Sequence, residues 1–229
     1  MKTRVAFCLF LLVAAITLFI SCATSNTDMI LKPEILYRSP ALDFTKVEAV
    51  AVMPVNNYEN EVTEVSGAIN DGLPIELKSV QKAWKVISYD EILRKMNEKG
   101  MGRGYQNYVA DLNTYVQAAG GTPNFTAETY KFFEELAKEM NFEALLFTSY
   151  GYSEEVKMGE KYLWGTVDLS SKIKKLSVTT VLYDLSSRRA WWLGRLSLQG
   201  GEKVSISDLV RSVVQGISQN FGKGTLRQL

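Results

Sequence analysis

The stretch Val47-Glu48-Ala49-Val50-Ala51-Val52-Met53-Pro54 decides the fold class. It is apolar at every position but Glu48, it does not alternate, and a proline ends it. A strand with one wet face alternates apolar and polar residues; a strand buried on both faces does not. This run therefore predicts a strand in a sheet covered on both sides. Asn56 to Glu61 follows as a polar loop. Val65, Ile69, Leu73, Leu77 and Val80 then recur at helical spacing. Pro74 inside that pattern predicts a kink or a restart. Trp84 to Ile87 reads as a short second strand.

Further along, Ser88 and Glu91 have capping-box spacing before Ile92, Leu93 and Met96, with Gly100 as the stop. Met101 to Gln106 reads as a glycine-broken loop. Tyr108, Leu112, Tyr115, Val116 and Ala119 mark another helix, ended by Gly120-Gly121. Thr126 caps a helix carrying Tyr130, Phe133, Ala137 and Met140. Strands are predicted at Ala144–Tyr150, Tyr162–Leu169 and Lys174–Leu185. Ser186–Arg188 is a turn, and Ala190–Leu198 returns from it as a hairpin partner. Ser205 and Asp208 open a last helix with Val210, Val213, Ile217 and Phe221 on one face, ended by Gly222. The fold class is α/β (α+β): one domain over residues 45–222, a mixed sheet covered by helices on both faces, then a tail at 223–229. Trp191 and Trp192 fit this cover, because neighbouring strand residues point to opposite faces. The alternative is that one of the two indoles is exposed and marks a contact site.

Composition narrows the function. Of 229 residues, 46% are apolar and 22% charged, which excludes a disordered chain. Basic and acidic residues number 26 and 25, so no net field draws in nucleic acid. Histidine is absent, which removes His-based acid/base catalysis, Cys–His nucleophiles and His-ligated zinc.

Before the domain, Lys2 and Arg4 precede Val5–Ile20, an uncharged run of sixteen residues. As a helix it spans about 24 Å, short of a bilayer core of about 30 Å. It reads as the apolar region of a signal peptide over residues 1–21. The run closes Phe19-Ile20-Ser21-Cys22, which resembles the lipobox of bacterial lipoproteins. In that family the cysteine sulfur receives a diacylglyceryl group and the chain is cut before it. The resemblance implies lipidation at Cys22, with no other cofactor. Phe19 and Ile20 depart from the residues usual there. Ala23, rather than Asp, implies outer-membrane sorting in a Gram-negative cell, facing the periplasm. Cys8 leaves with the leader, so the mature chain has no free thiol, disulfide or thiolate metal site. Residues 22–44 read as a lipidated tether, about 75 Å long if fully extended. The alternative is that Met29-Ile30-Leu31 and Ile35-Leu36-Tyr37 dock on the domain.

Several short signatures then stand together: Val50-Ala51-Val52-Met53-Pro54-Val55-Asn56-Asn57, Trp84-Lys85-Val86-Ile87-Ser88, Glu143-Ala144-Leu145-Leu146, and Val181-Leu182-Tyr183-Asp184 with Trp191 beyond the turn. This layout resembles the periplasmic lipoprotein group that includes the curli secretion protein CsgG, the penicillin-binding-protein activator LpoB and the amino-terminal domain of TolB. The feel is closest to small lipoproteins of that fold with no settled function. The turn Ser186-Ser187-Arg188 lacks the Thr-Gly usual there, and Gly100–Phe125 is longer than a simple connection.

Candidate chemistry is sparse. Ser79/Lys82 and Ser171/Lys174 match S-x-x-K without the companion elements of penicillin-binding enzymes. The oxygen-rich loop Asn56, Asn57, Glu59, Asn60 and Glu61 matches no calcium spacing and reads as solvated. Lys172, Lys174, Lys175, Arg188 and Arg189 form the basic clustering, read as edge-strand charges that block pairing or as a contact to anionic lipid or cell-wall polymer. No catalytic or metal-ligating set is expected. The function expected is a lipid-anchored envelope protein acting by binding or assembly. Its partner-binding aromatics would be Tyr105, Tyr108, Tyr162 and Trp164, its membrane contact the lipid, and its protein partner unknown, a homo-oligomer included. The alternatives are a subunit of a CsgG-like outer-membrane secretion assembly, and an envelope enzyme without His or Cys.

Overall fold

A computed structural model describes residues 29–40, 43–57, 62–117, 124–157 and 171–222. In chain order the elements are strand β1 (Met29–Arg38), a 3-10 turn at Phe44–Lys46, strands β2 (Ala49–Val52) and β3 (Asn56–Asn57), and helix α1 (Thr63–Val80). Strand β4 (Lys85–Ile87) follows, then helices α2 (Tyr89–Lys99), α3 (Gly102–Gln117) and α4 (Ala127–Met140). Strands β5 (Ala144–Lys157), β6 (Ser171–Asp184) and β7 (Arg189–Gly200) lead to helix α5 (Ile206–Gly222).

The strands form one mixed sheet in the order β1-β7-β6-β5-β2-β4, with β3 pairing β5. β2 runs parallel to β4 and β5, and the other long pairings are antiparallel. The apolar run that opens the domain is explained by its two faces. Val50 and Val52 enter a core under α1 and α5, beside Ile69, Leu73, Val213 and Ile217. Ala49, Ala51 and Met53 enter a second core under α2, α3 and α4, beside Ile92, Tyr108, Phe133 and Leu136. Neither face of β2 meets water, so neither could be polar.

Local signals work as read. Ser88 and Glu91 form a reciprocal capping box, and Gly100 ends α2 at φ 66°. Thr126 caps α4 and also donates from Oγ1 to Asp111 Oδ2 at 2.8 Å, which ties α4 to α3. Pro74 does not restart the helix; α1 runs through it to Val80. A proline inside a helix costs about 3 kcal/mol. Burial of Leu73, Pro74 and Leu77 against the sheet offsets it.

Three expectations are corrected. First, Met101–Gln106 is not a loop, because α3 already begins at Gly102. A Cβ at Gly104 would lie 2.7 Å from Phe132, so this glycine lets α4 approach α3. Second, the tether is not continuous over 22–44. Met29–Arg38 is the edge strand β1, paired antiparallel to β7 from Met29↔Gly200 to Arg38↔Trp192. The docking alternative is the one observed. Third, Trp191 and Trp192 do not divide between the faces. Leu182 pairs with Trp192 and Tyr183 with Ala190, so Trp191 is the extra residue of a β-bulge. It packs, partly buried, on the same core as Trp192. The two-sided cover is real, but it is the helices that supply it. The strand expected at Tyr162–Leu169, the leader and the tail at 223–229 lie outside the described residues.

The turn that departs from Thr-Gly has its own solution. Buried Asp184 accepts from the backbone N–H of Ser186 at 3.0 Å and of Ser187 at 3.1 Å. Arg188 adopts φ 54°, where glycine is usual. Its guanidinium pairs with Glu134 at 2.7 Å and lies 4.7 Å from the Tyr130 ring centroid.

Candidate functional site

The four aromatic candidates part company. Tyr108 is only 1% exposed and belongs to the core, which corrects its reading as a surface contact. Its ring packs against Phe133 at 5.5 Å, Tyr105 at 5.9 Å and Phe125 at 6.2 Å. Its hydroxyl is buried and finds no hydrogen-bond partner among the described residues. Burial holds that phenol neutral far above its ordinary range. The signal was present in the sequence: Tyr108 and Leu112 share one helical stripe, and a stripe faces a core. Tyr105 is half-buried at the margin of the same cluster. Tyr162, Trp164 and Cys22 lie outside the described residues.

The S-x-x-K pairs are occupied elsewhere. Ser79 Oγ donates to the Glu76 carbonyl at 2.8 Å. Lys174 Nζ donates to the Val204 carbonyl at 2.6 Å and the Glu202 carbonyl at 3.4 Å, bracing the turn before α5. Asn56 donates to Asn113 at 2.6 Å, and Asn70 accepts from the Val55 N–H at 2.8 Å. These asparagines fasten the end of β2 to α1 and α3. The basic clustering is split between the two ends of the β6–β7 hairpin. Lys175 pairs with Glu155 at 2.6 Å near one end, and Arg188 with Glu134 at the other.

Among the described residues, exposed large apolar side chains fall at three places: Leu36 and Tyr37 on β1, Val156 near the end of β5, and Ile75 on α1. Ile75, 68% exposed, sits in a cleft of about 350 Å³ between α1 and α5. Gly72 narrows the seam, since a Cβ there would already touch Val214 at 3.6 Å. Ala68, Val210 and Val214 give the cleft its apolar floor, with Asp71 and Glu76 on one wall and Arg211 on the other. Asp71 Oδ1 accepts from the Tyr89 hydroxyl at 3.3 Å, and Arg211 is 3.6 Å from Asp208. Burial, and then the neighbouring Asp71, raise the Tyr89 phenol above its ordinary value. An apolar floor between opposite charges suits an apolar anchor side chain with polar neighbours. The cue was legible: Ile75 lies two residues from both Leu73 and Leu77, off the buried stripe of α1.

No protein-family model and no characterised protein sequence matches the chain. Among solved structures it is similar to the PelC dodecamer from Paraburkholderia phytofirmans, at 15% identity and a TM-score of 0.46, over 86% of this chain and 99% of that one. It is also similar to lipoprotein GNA1162 from Neisseria meningitidis, at 16% identity and a TM-score of 0.44, over 77% of this chain and 99% of that one.

Proposed function

We propose that this is a lipid-anchored protein of the cell envelope, held to a membrane through Cys22 and acting by contact with a protein partner. The observation that carries the anchor is the uncharged run Val5–Ile20 behind Lys2 and Arg4, closing on Ser21-Cys22. No cysteine follows Cys22, so lipid on its sulfur and cleavage of the leader with Cys8 leave a chain without thiol chemistry. Among the described residues no helix is long and apolar enough to cross a membrane. Ala23 supports the outer membrane, with the domain facing the periplasm. Kinship with the CsgG, LpoB and TolB group is part of the same reading.

The contact role is supported by the α1–α5 cleft and its exposed Ile75. An enzymatic role has little to draw on in a chain without histidine. A pore role is disfavoured by the outer ends of β5 and β6. Glu154 pairs with Lys174, and Ser153 with Lys175 beside Glu155, which puts charge on both faces of that hairpin arm. A spanning hairpin needs one face free of charge.

A photo-reactive residue at position 75 of the full-length protein, in cells, tests the contact. The expected result is a discrete adduct from position 75 that is missing from position 187, on the exposed β6–β7 turn. An adduct of twice the protein's own mass would make the partner a second copy. No adduct at 75, or the same adducts from both positions, would remove the cleft from the account.

A further inference from the structure

We infer that the domain meets the membrane with the end of the sheet where β1 begins, at Met29, Gly200 and the pair Val156–Lys172, and holds the turn Ser186–Arg189 away from it. This rests on the anchor at Cys22 proposed above.

The strand pairings define that end. Met29 lies opposite Gly200, Gly200 opposite Lys174, and Lys174 opposite Glu154, one row across four strands. β1 enters the sheet at this row. Glu155–Lys157 and Ser171–Ile173 run on beyond it by three residues, about 10 Å at the rise of a strand. In the other direction β6 continues ten residues, to Asp184 opposite Arg189, about 33 Å away.

The tether is short against these lengths. Seven Cα steps separate Cys22 from Met29, and they reach at most about 25 Å. With the Ser186–Arg189 turn on the lipid, Cys22 would have to cross the whole height of the sheet, which its reach does not allow. With the Met29 end toward the lipid, the arm of β5 and β6 runs about 10 Å into a gap that the tether can span.

The surface at that end carries groups that suit the contact. Val156 is 59% exposed, and Lys172 stands opposite it on the same face. An exposed apolar side chain beside a long cationic one is a combination suited to a headgroup layer. Lys174 holds the carbonyls of Glu202 and Val204, so the neighbouring turn with Lys203 presents a braced surface.

Once the leader with Cys8 is removed, the sulfur of Cys22, blocked by lipid, is the one cysteine sulfur left in the lipidated protein, so single cysteines can be labelled cleanly. Val156→Cys, Lys203→Cys and Ser187→Cys replace exposed side chains. Each variant, labelled with a fluorophore, is bound to phosphatidylcholine and phosphatidylglycerol vesicles that contain lipids with a nitroxide at the headgroup. Labels at 156 and 203 should be quenched several-fold more than a label at 187. Equal quenching at all three, or stronger quenching at 187, overturns the orientation. Flotation with the vesicles is scored on the same samples. Protein that floats but is quenched evenly keeps its anchor and loses the orientation; protein that does not float loses both.

Discussion

Tyr108, Gly104 and Gly194 carry residue-scale consequences that their residue types alone do not reveal. The Tyr108 hydroxyl is buried without a partner among the described residues, so it contributes a desolvation cost and no bond. Tyr108→Phe should leave stability unchanged or raise it by about 1–2 kcal/mol, read from the midpoint of chemical denaturation. Gly104→Ala should do the reverse. Its new Cβ would meet the Phe132 ring and Cβ, and overpacking of this kind costs about 1–3 kcal/mol. A Cβ at Gly194 would collide with the Trp192 ring, so Gly194→Ala belongs to the same class. The tyrosines also set a pH profile. Burial raises Tyr105, Tyr108 and Tyr183 above their ordinary value, with the Tyr130 hydroxyl at 2.8 Å a further cause at Tyr183. Folded phenols then stay neutral where unfolded ones ionise, so their contribution is intact below about pH 10 and is lost as pH rises beyond it. With no histidine, stability should be flat from about pH 6 to 9 and fall on the alkaline side. Denaturation across that range checks it, and a dip near neutrality would contradict it.

Elements whose signals are local were legible, and those fixed by distant partners were not. The capping box at Ser88 and Glu91 lies within four residues of chain, and it forms as read. Ser88→Ala should cost about 1 kcal/mol and loosen the start of α2, visible as faster amide exchange over Tyr89–Ile92. β1 showed only as two short apolar runs able to dock, because an edge strand needs no long apolar run. Met29–Arg38 carries Lys32, Pro33, Glu34 and Arg38, and its strand identity comes from β7, more than 150 residues away. Pro33 is tolerated there because an edge strand can leave one N–H direction unused, and a missing donor blunts the edge against pairing. Deleting Met29–Arg38 uncovers β7 from Trp192 to Gly200. The expected outcome is lower stability together with self-association, measured by denaturation and sedimentation. A truncated chain that stays monomeric and equally stable would show that β1 is dispensable. The glycines in the first turn of α3 misled for the same reason as β1: Gly104 answers to Phe132 on another helix, and sequence spacing cannot see that contact. The Trp191 bulge is likewise a property of the β6–β7 register.

At the scale of the whole molecule, the two cores and the short reach from Cys22 to Met29 give one picture. On the proposed anchor at Cys22, a single α/β domain would stand close to the membrane, rather than at the end of a long tether. The fold class was readable because Val47–Met53, short, apolar but for Glu48 and ended by Pro54, fits a strand covered on both faces. The candidate site was only half readable. Cys22 stands out as a local motif, whereas the cleft exists only where α1 and α5 meet, and Ile75 was visible only as an apolar residue off its stripe. The intact mass of the protein purified from native membranes tests the central claim most directly. The account predicts a chain that begins at Cys22 and carries a diacylglyceryl group, with a Cys22→Ala variant that retains the leader or leaves the membrane fraction. A wild-type mass without lipid, or a Cys22→Ala protein that partitions with membranes as the wild type does, would contradict it.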